Sequence, residues 1–343
     1  MLARLRSFFS QYYPPNPAFT EAQLVPGSQN GRVFIVTGGN HGIGFELCKM
    51  LINTGATIYM ASRSKEKAEA AIKKISDAIP PNAEGMGQIK FLHLDLADLT
   101  IVQDAARNFA QQESRLDILW NNAGTGGFAV TFGDRTAQDF EPLMGMHCIA
   151  TLLFTELLRP LLQAAASLST TPASTRVLWL TSNLADTHGP VNGVDFSLVD
   201  TGCDDPAENY ALSKAGVWML AREFDRRYGK DGIVSLTVNP GNVKAGSYAG
   251  APRILMVFLN AVSLHDTILG AYTELYAGLS PDIKQQDDAK YVLPWGRLST
   301  NDRAWRQDIV KAIRPENEGG LGYGEKLWGW CEDQWKPHLK SSS

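Results

Sequence analysis

Tyr210 and Lys214 stand one helical turn apart in Tyr210-Ala211-Leu212-Ser213-Lys214, a spacing that puts both side chains on one face of a helix. A phenol ordinarily loses its proton near pH 10, too high for base chemistry at neutral pH. An ammonium at this spacing favours the phenolate and is expected to lower that value. Such a pair can give a proton to a carbonyl oxygen or take one from an alcohol. The spacing alone is common. It gains force from Ser182, a hydroxyl at the end of a predicted strand, and from a glycine-rich turn upstream.

That turn is Thr37-Gly38-Gly39-Asn40-His41-Gly42-Ile43-Gly44. It follows an apolar strand and opens a helix. Gly38 permits a tight turn, Gly42 lets the backbone approach a pyrophosphate, and Gly44 allows close helix–strand packing. The helix start, with Asn40, His41 and Ile43, offers unpaired N–H groups to an anion. The second strand should end in a carboxylate if it is to bind a ribose 2′-hydroxyl. It ends instead in Ala61-Ser62-Arg63-Ser64-Lys65. A guanidinium there can hold a 2′-phosphate in bidentate fashion, so the expected cofactor is NADP(H).

These residues need a frame of alternating strands and helices. Strands are predicted at 33–37, 57–61, 89–94, 116–120, 177–181, 233–238 and 291–293, most of them continuous apolar runs, as in strands covered on both faces. Helices are predicted near 44–54, 65–78, 98–113, 137–166 and 208–229. The fold expected is α/β: a single Rossmann-type doubly wound parallel sheet with helices on both faces, over residues 31–343, preceded by an extension at 1–30. Segments 183–209 and 251–279 interrupt the rhythm after strand ends, where open α/β sheets bind ligands, and read as substrate-pocket walls.

The 343-residue chain has 44% apolar and 20% charged residues and a formal net charge of −4. A sizeable core follows, and a nucleic-acid partner does not. Cys48, Cys148, Cys203 and Cys331 form no CxxC pair, so neither a metal site nor a disulfide framework is expected, and a reducing, cytoplasmic setting fits. Met1–Tyr13 carries Arg4 and Arg6 among Leu2, Leu5, Phe8 and Phe9. This run is too short and broken for a signal peptide or transmembrane segment. A helix packed on the domain is expected there; contact with a membrane surface stays open.

The motifs together resemble the short-chain dehydrogenase/reductase family. The matching pieces are the turn at 37–44, Asp95 after the third strand, Asn121-Asn122-Ala123-Gly124 after the fourth, Ser182, Tyr210 with Lys214, and Asn239-Pro240-Gly241 after the sixth. They occur in family order across roughly residues 31–245. The resemblance implies that Ser182 steadies the substrate oxygen, Tyr210 moves the proton and Lys214 also holds the nicotinamide ribose. It implies that Asp95 meets the adenine, and that Asn122, Ala123, Gly124, Pro240, Gly241 and Val243 border the cofactor. The long segment between Ser182 and Tyr210, with Val194-Asp195-Phe196, is similar to that of retinol-dehydrogenase-like and WW-domain-containing-oxidoreductase-like members. The lead-in from Tyr13-Pro14-Pro15 to Phe19-Thr20-Glu21 resembles fungal members, many of which act in secondary metabolism.

Two positions depart from the family. His147 aligns where an Asn often holds a water behind the lysine, so a proton-relay role is expected of it, against the alternative of a histidine packed among Leu143, Met144 and Thr151. Ala245 fills the place of a usual Thr. The expected activity is hydride transfer between the nicotinamide and a bulky, mostly apolar ketone or alcohol. Ile254, Leu255, Val257, Phe258 and Leu259, with Trp295, Trp305, Trp328 and Trp330, are the candidates: some belong to the core, and the remainder would form the pocket. A cofactor-binding scaffold and a non-redox lyase or epimerase are the alternatives. A homo-oligomer stays open.

Overall fold

The computed structural model describes residues 10–252, 256, 264–285, 291–301, 304 and 306–340. Eight strands form one sheet in the order β3-β2-β1-β4-β5-β6-β7-β8. They are β1 Val33–Thr37, β2 Thr57–Ser62, β3 Gln88–His93, β4 Ile118–Asn121, β5 Thr175–Leu180, β6 Ile233–Val238, β7 Tyr291–Leu293 and β8 Arg297–Ser299. All pairings are parallel except the β7–β8 hairpin, whose second strand the sequence reading did not anticipate. Three residues are too few for an alternating pattern to register.

Side chains along each strand alternate between two cores. Phe34 and Val36 of β1 face α1 (Gly42–Leu51), α2 (Lys65–Asp77) and α7 (Thr267–Leu279). Val33 and Ile35 face the layer that holds α3 (Leu99–Ala110), α4 (Pro142–Leu168), α6 (Pro206–Tyr228), α8 (Gln307–Ile313) and α9 (Tyr323–Trp335). This two-sided burial explains why the central strands read as unbroken apolar runs. Among the described residues, α4 is long and apolar enough to cross a membrane, but 61% of its apolar window is buried in the fold.

Several boundaries differ from expectation because capping residues set them. Asp205 Oδ1 accepts from the amides of Ala207 and Glu208 at 2.8 and 3.0 Å, and Pro206 takes the first helical position, so α6 starts at 206. The helix expected over 137–166 begins at Pro142 and carries a wide π-turn at Gly145–Ala150. The expected wall at 183–209 opens with a short helix, α5 (Asn183–Thr187), capped by Ser182. Of the expected wall at 251–279, α7 packs against α1 in the core and buries Ala271 and Leu275, while Ile254, Leu255, Val257, Phe258 and Leu259 lie outside the described residues. Trp295 and Trp328 are buried core residues rather than pocket surface, and Trp330 donates to Asp200 Oδ1 at 3.2 Å. Trp305 and residues 1–9 also lie outside the described residues.

β1 pairs with β2 on one side and β4 on the other. Chain connections diverge at that point, which leaves a crevice beyond the carboxyl ends of the strands.

Candidate active site

The crevice is stitched together by Thr37, the last residue of β1. Its hydroxyl donates to the Trp120 carbonyl at 3.1 Å and accepts the Ala123 amide at 2.8 Å. Asn122 Nδ2 donates to the Thr37 carbonyl at 2.6 Å. Two glycines shape the turn that follows. Gly42 has a φ of 57°, and a Cβ there would meet nothing within 4 Å, so its open face is room a ligand can use. Gly44 is the opposite case: a Cβ would lie 2.6 Å from Asn122 Nδ2 and 2.7 Å from the Gly38 carbonyl. His41 is the N-cap of α1 and makes no side-chain cap, which leaves the first amides of the helix available to an anion.

Behind Gly42 a second hollow is lined by Asn40, His41, Phe45, Arg63, Ser64 and Lys67. Burial, with the charges of Arg63 and Lys67, lowers the His41 pKa. Ser64 caps α2 by accepting the Lys67 amide, and Arg63 and Lys67 flank it in the hollow's lining. Lys65 instead pairs with Glu69 at 3.7 Å on the exposed side of α2. Lys67 is a residue the sequence reading did not single out; its place one turn after the cap was the available signal. Asp95 follows β3, and its carboxylate accepts the Ala97 amide at 3.0 Å, outside the lining of the main cleft.

That main cleft brings together Gly38, His41, Gly42, Ile43, Asn122, Ala123, Gly124, Ser182, Tyr210, Lys214, Pro240, Gly241, Val243 and Ala245. Ser182 reaches it from the end of β5 as the N-cap of α5, with Oγ accepting the Leu184 amide at 3.2 Å. Tyr210 and Lys214 reach it from the first turns of α6. Ser182 lies close enough to Tyr210 to act on the pKa of its phenol.

The electrostatics of the pair correct one expectation. Burial pushes the Tyr210 phenol above its ordinary pKa, Tyr248 pushes it further, and only Ser182 pulls it down. The ammonium does not offset burial because Lys214 Nζ donates to the Leu180 carbonyl at 2.9 Å and lies 5.6 Å from the centre of the Tyr210 ring. Burial also brings Lys214 down to about 8. The resting pair is therefore a protonated phenol beside a poised lysine.

His147 sits in the π-turn of α4, 1% exposed. Its Nε2 accepts the Thr125 amide at 3.1 Å. Its Nδ1 lies 2.9 Å from Ser213 Oγ, which donates to the Tyr210 carbonyl at 2.8 Å, so Nδ1 carries the proton. Both ring nitrogens are occupied, and burial with the nearby Lys214 charge holds the pKa well below the usual histidine value. His147 is thus a neutral imidazole that joins the Gly124–Thr125 loop to α6. Its ring stands edge-on to Tyr210, with centroids 5.8 Å apart. A Cβ on Gly124 would lie 3.2 Å from both His147 Nε2 and Lys214 Nζ, which shows how closely these groups meet.

The largest surprise comes from the amino-terminal segment. Gln11, 5% exposed, donates to Asp186 Oδ2 at 3.2 Å and accepts from Asn239 Nδ2 at 2.8 Å. Tyr12 hydrogen-bonds with Asn183 and Asn242, and its carbonyl lies 3.0 Å from His265 Nε2. Arg297 holds Ser10 through Oγ and the carbonyl, at 2.8 and 2.6 Å. The segment ties the helix that begins at Ser182 to the loop at 239–243. Its partners are more than 170 positions away, and nothing in its own pattern announces them.

Comparisons with known proteins agree with this arrangement. Residues 32–191 match the short chain dehydrogenase family. A short-chain dehydrogenase/reductase of Pestalotiopsis fici is 44% identical over 339 residues, which is 98% of this chain and all of the relative. One from Neocamarosporium betae is 38% identical over 98% of this chain and 94% of its own length. Among solved structures, a protein from Mycobacterium paratuberculosis superposes with a TM-score of 0.63 at 24% identity, covering 93% of this chain and 97% of that one.

Proposed function

The chain belongs to the short-chain dehydrogenase/reductase family, and on that premise we propose that it is an NADP(H)-dependent reductase of bulky ketones, working in fungal secondary metabolism. The observation that carries the reading is convergence. Ser182, from the end of β5, and Tyr210 with Lys214, from α6, line one cleft with the glycine-rich turn.

The residues present fit a nicotinamide dinucleotide. The open face at Gly42 and the uncapped start of α1 suit a pyrophosphate, and Arg63 with Lys67 suits a 2′-phosphate. When bound, the cofactor supplies or accepts the hydride. Ser182 donates a hydrogen bond to the substrate oxygen and orients the Tyr210 hydroxyl. In the reducing direction Tyr210, kept in its acid form by burial, delivers its proton to the carbonyl oxygen. Lys214 holds positive charge beside the ring as phenolate character develops. Cys48, Cys148, Cys203 and Cys331 are all unpaired, in keeping with the cytoplasm as the proposed site of action.

Turnover of NADPH and NADH with a panel of bicyclic and aryl ketones, with products read by mass spectrometry, tests the reading. NADPH is expected to exceed NADH in kcat/KM by at least about tenfold. Equal use of both overturns the cofactor assignment. Product formed without net cofactor consumption overturns the redox assignment in favour of a lyase or epimerase.

A further inference from the structure

The cleft offers more polar groups than proton transfer employs. Besides Ser182 and Tyr210 it is lined by Asn183, Asn242 and Tyr248. The two amides already serve each other: Asn183 Nδ2 donates to Asn242 Oδ1 at 3.0 Å, and the Tyr12 hydroxyl bonds to both.

Tyr248 is different. It is half-buried, and among the described residues its hydroxyl has no hydrogen-bond partner. Burial and the neighbouring Tyr12 push its pKa up to about 12, so it is a hydrogen-bond donor at any physiological pH. It lies close enough to Tyr210 to raise that residue's pKa as well. In the open cleft water can satisfy this donor; a ligand that displaces the water without offering an acceptor would leave the bond unmade at a cost.

The turn that carries it is firmly seated. Gly246–Tyr248 rests on the turn Gly127–Ala129. Gly250 follows at a φ of 83°, with the Phe128 carbonyl only 2.3 Å from where a Cβ would be. The rest of this part of the cleft is apolar, through Phe128, Leu184, Pro206 and Ala207.

We infer that Tyr248 forms an oxygen-binding subsite beside the reaction centre, and that the substrate is an apolar ketone or alcohol carrying a second oxygen, as a hydroxyl or carbonyl, within reach of that phenol. This rests on the redox reading of the same cleft and sharpens its substrate class. An unadorned hydrocarbon ketone would leave Tyr248 unsatisfied. A hydroxylated one would accept its proton and be held in register with Tyr210.

The test compares 1-tetralone with its monohydroxy derivatives on the NADPH-loaded protein, with turnover read by NADPH consumption and affinity by titration calorimetry. At least one hydroxylated isomer is expected to exceed the parent in kcat/KM by about tenfold, chiefly through KM. In Tyr248→Phe that preference should fall to within about twofold. A preference that survives in Tyr248→Phe, or no preference for any isomer, overturns the subsite. A binding preference abolished by Tyr248→Phe without turnover of any ketone keeps the subsite and overturns the redox reading. Turnover of every ketone at equal efficiency does the reverse.

Discussion

On the side of the cleft proposed for the phosphates, residues 37–44 make the turn and 63–67 the cationic hollow within two consecutive β–α units, and 122–124 lock the turn to β1. On the substrate side, Gln11 and Tyr12 meet Asn183, Asp186, Asn239 and Asn242, and Ser182 meets Tyr210. The turn at 37–44 and the hollow at 63–67 each sit in a strand–turn–helix unit. The substrate side exists only when the whole sheet has formed. One half is thus a cradle built from local units, and the other is assembled from parts of the chain far apart in sequence.

The sharpest way to break this division is at Tyr210, which should matter to chemistry and not to the cradle. Tyr210→Phe removes only the transferable proton. It is expected to lower kcat by about two to four orders of magnitude while NADPH affinity, read by fluorescence titration, stays within about threefold. A comparable loss of cofactor affinity would mean the two halves are not separable.

A smaller effect is expected on the other side. Arg63→Ala should weaken NADPH by roughly ten- to a hundredfold, the worth of a charge-assisted contact, and leave NADH nearly unchanged. Lys67→Ala should act in the same direction, and Lys65→Ala, whose ammonium is turned toward Glu69, should not. Equal losses for Lys65→Ala and Lys67→Ala would move the 2′-phosphate site out of the hollow.

The same division explains what was legible in the sequence. Central strands read correctly because burial on both faces leaves unbroken apolar runs. The close packing at Gly44 was legible because glycine is needed where a Cβ would strike a neighbour. Lys67 escaped notice because its place beside Arg63 in the lining of the hollow depends on how α2 packs, which charge pattern does not reveal. The direction of the Tyr210 shift was misjudged because spacing reveals the nearby lysine but not the burial that outweighs it. The part played by His147 depended on two partners, Thr125 and Ser213, that only the fold brings to its ring. Gln11 was invisible because its sites lie across the sheet.

Behind each half lies a buried carboxyl, and the two differ as the halves do. Asp186, on the substrate side, is raised to about 6 chiefly by burial but receives the Gln11 amide. Glu274 on α7, packed against α1 beneath the cradle, is fully buried; neither of its oxygens has a partner among the described residues, and burial raises it to about 8. Below the ordinary value of 4.5, folded and unfolded chains both hold this proton, and it contributes nothing to stability. Between 4.5 and about 8 only the folded chain retains it, so stability falls as pH rises, by up to about 1.4 kcal/mol per unit. Above about 8 both forms are ionised and the slope disappears. Glu274→Gln removes this titration, so its melting temperature relative to wild type should climb steadily from pH 5 to pH 8 and then level off. Other groups titrate equally in both proteins and cancel in that difference. Parallel melting curves across this range would mean that Glu274 ionises freely, and that the cradle rests on a solvated acid rather than an unpaired one.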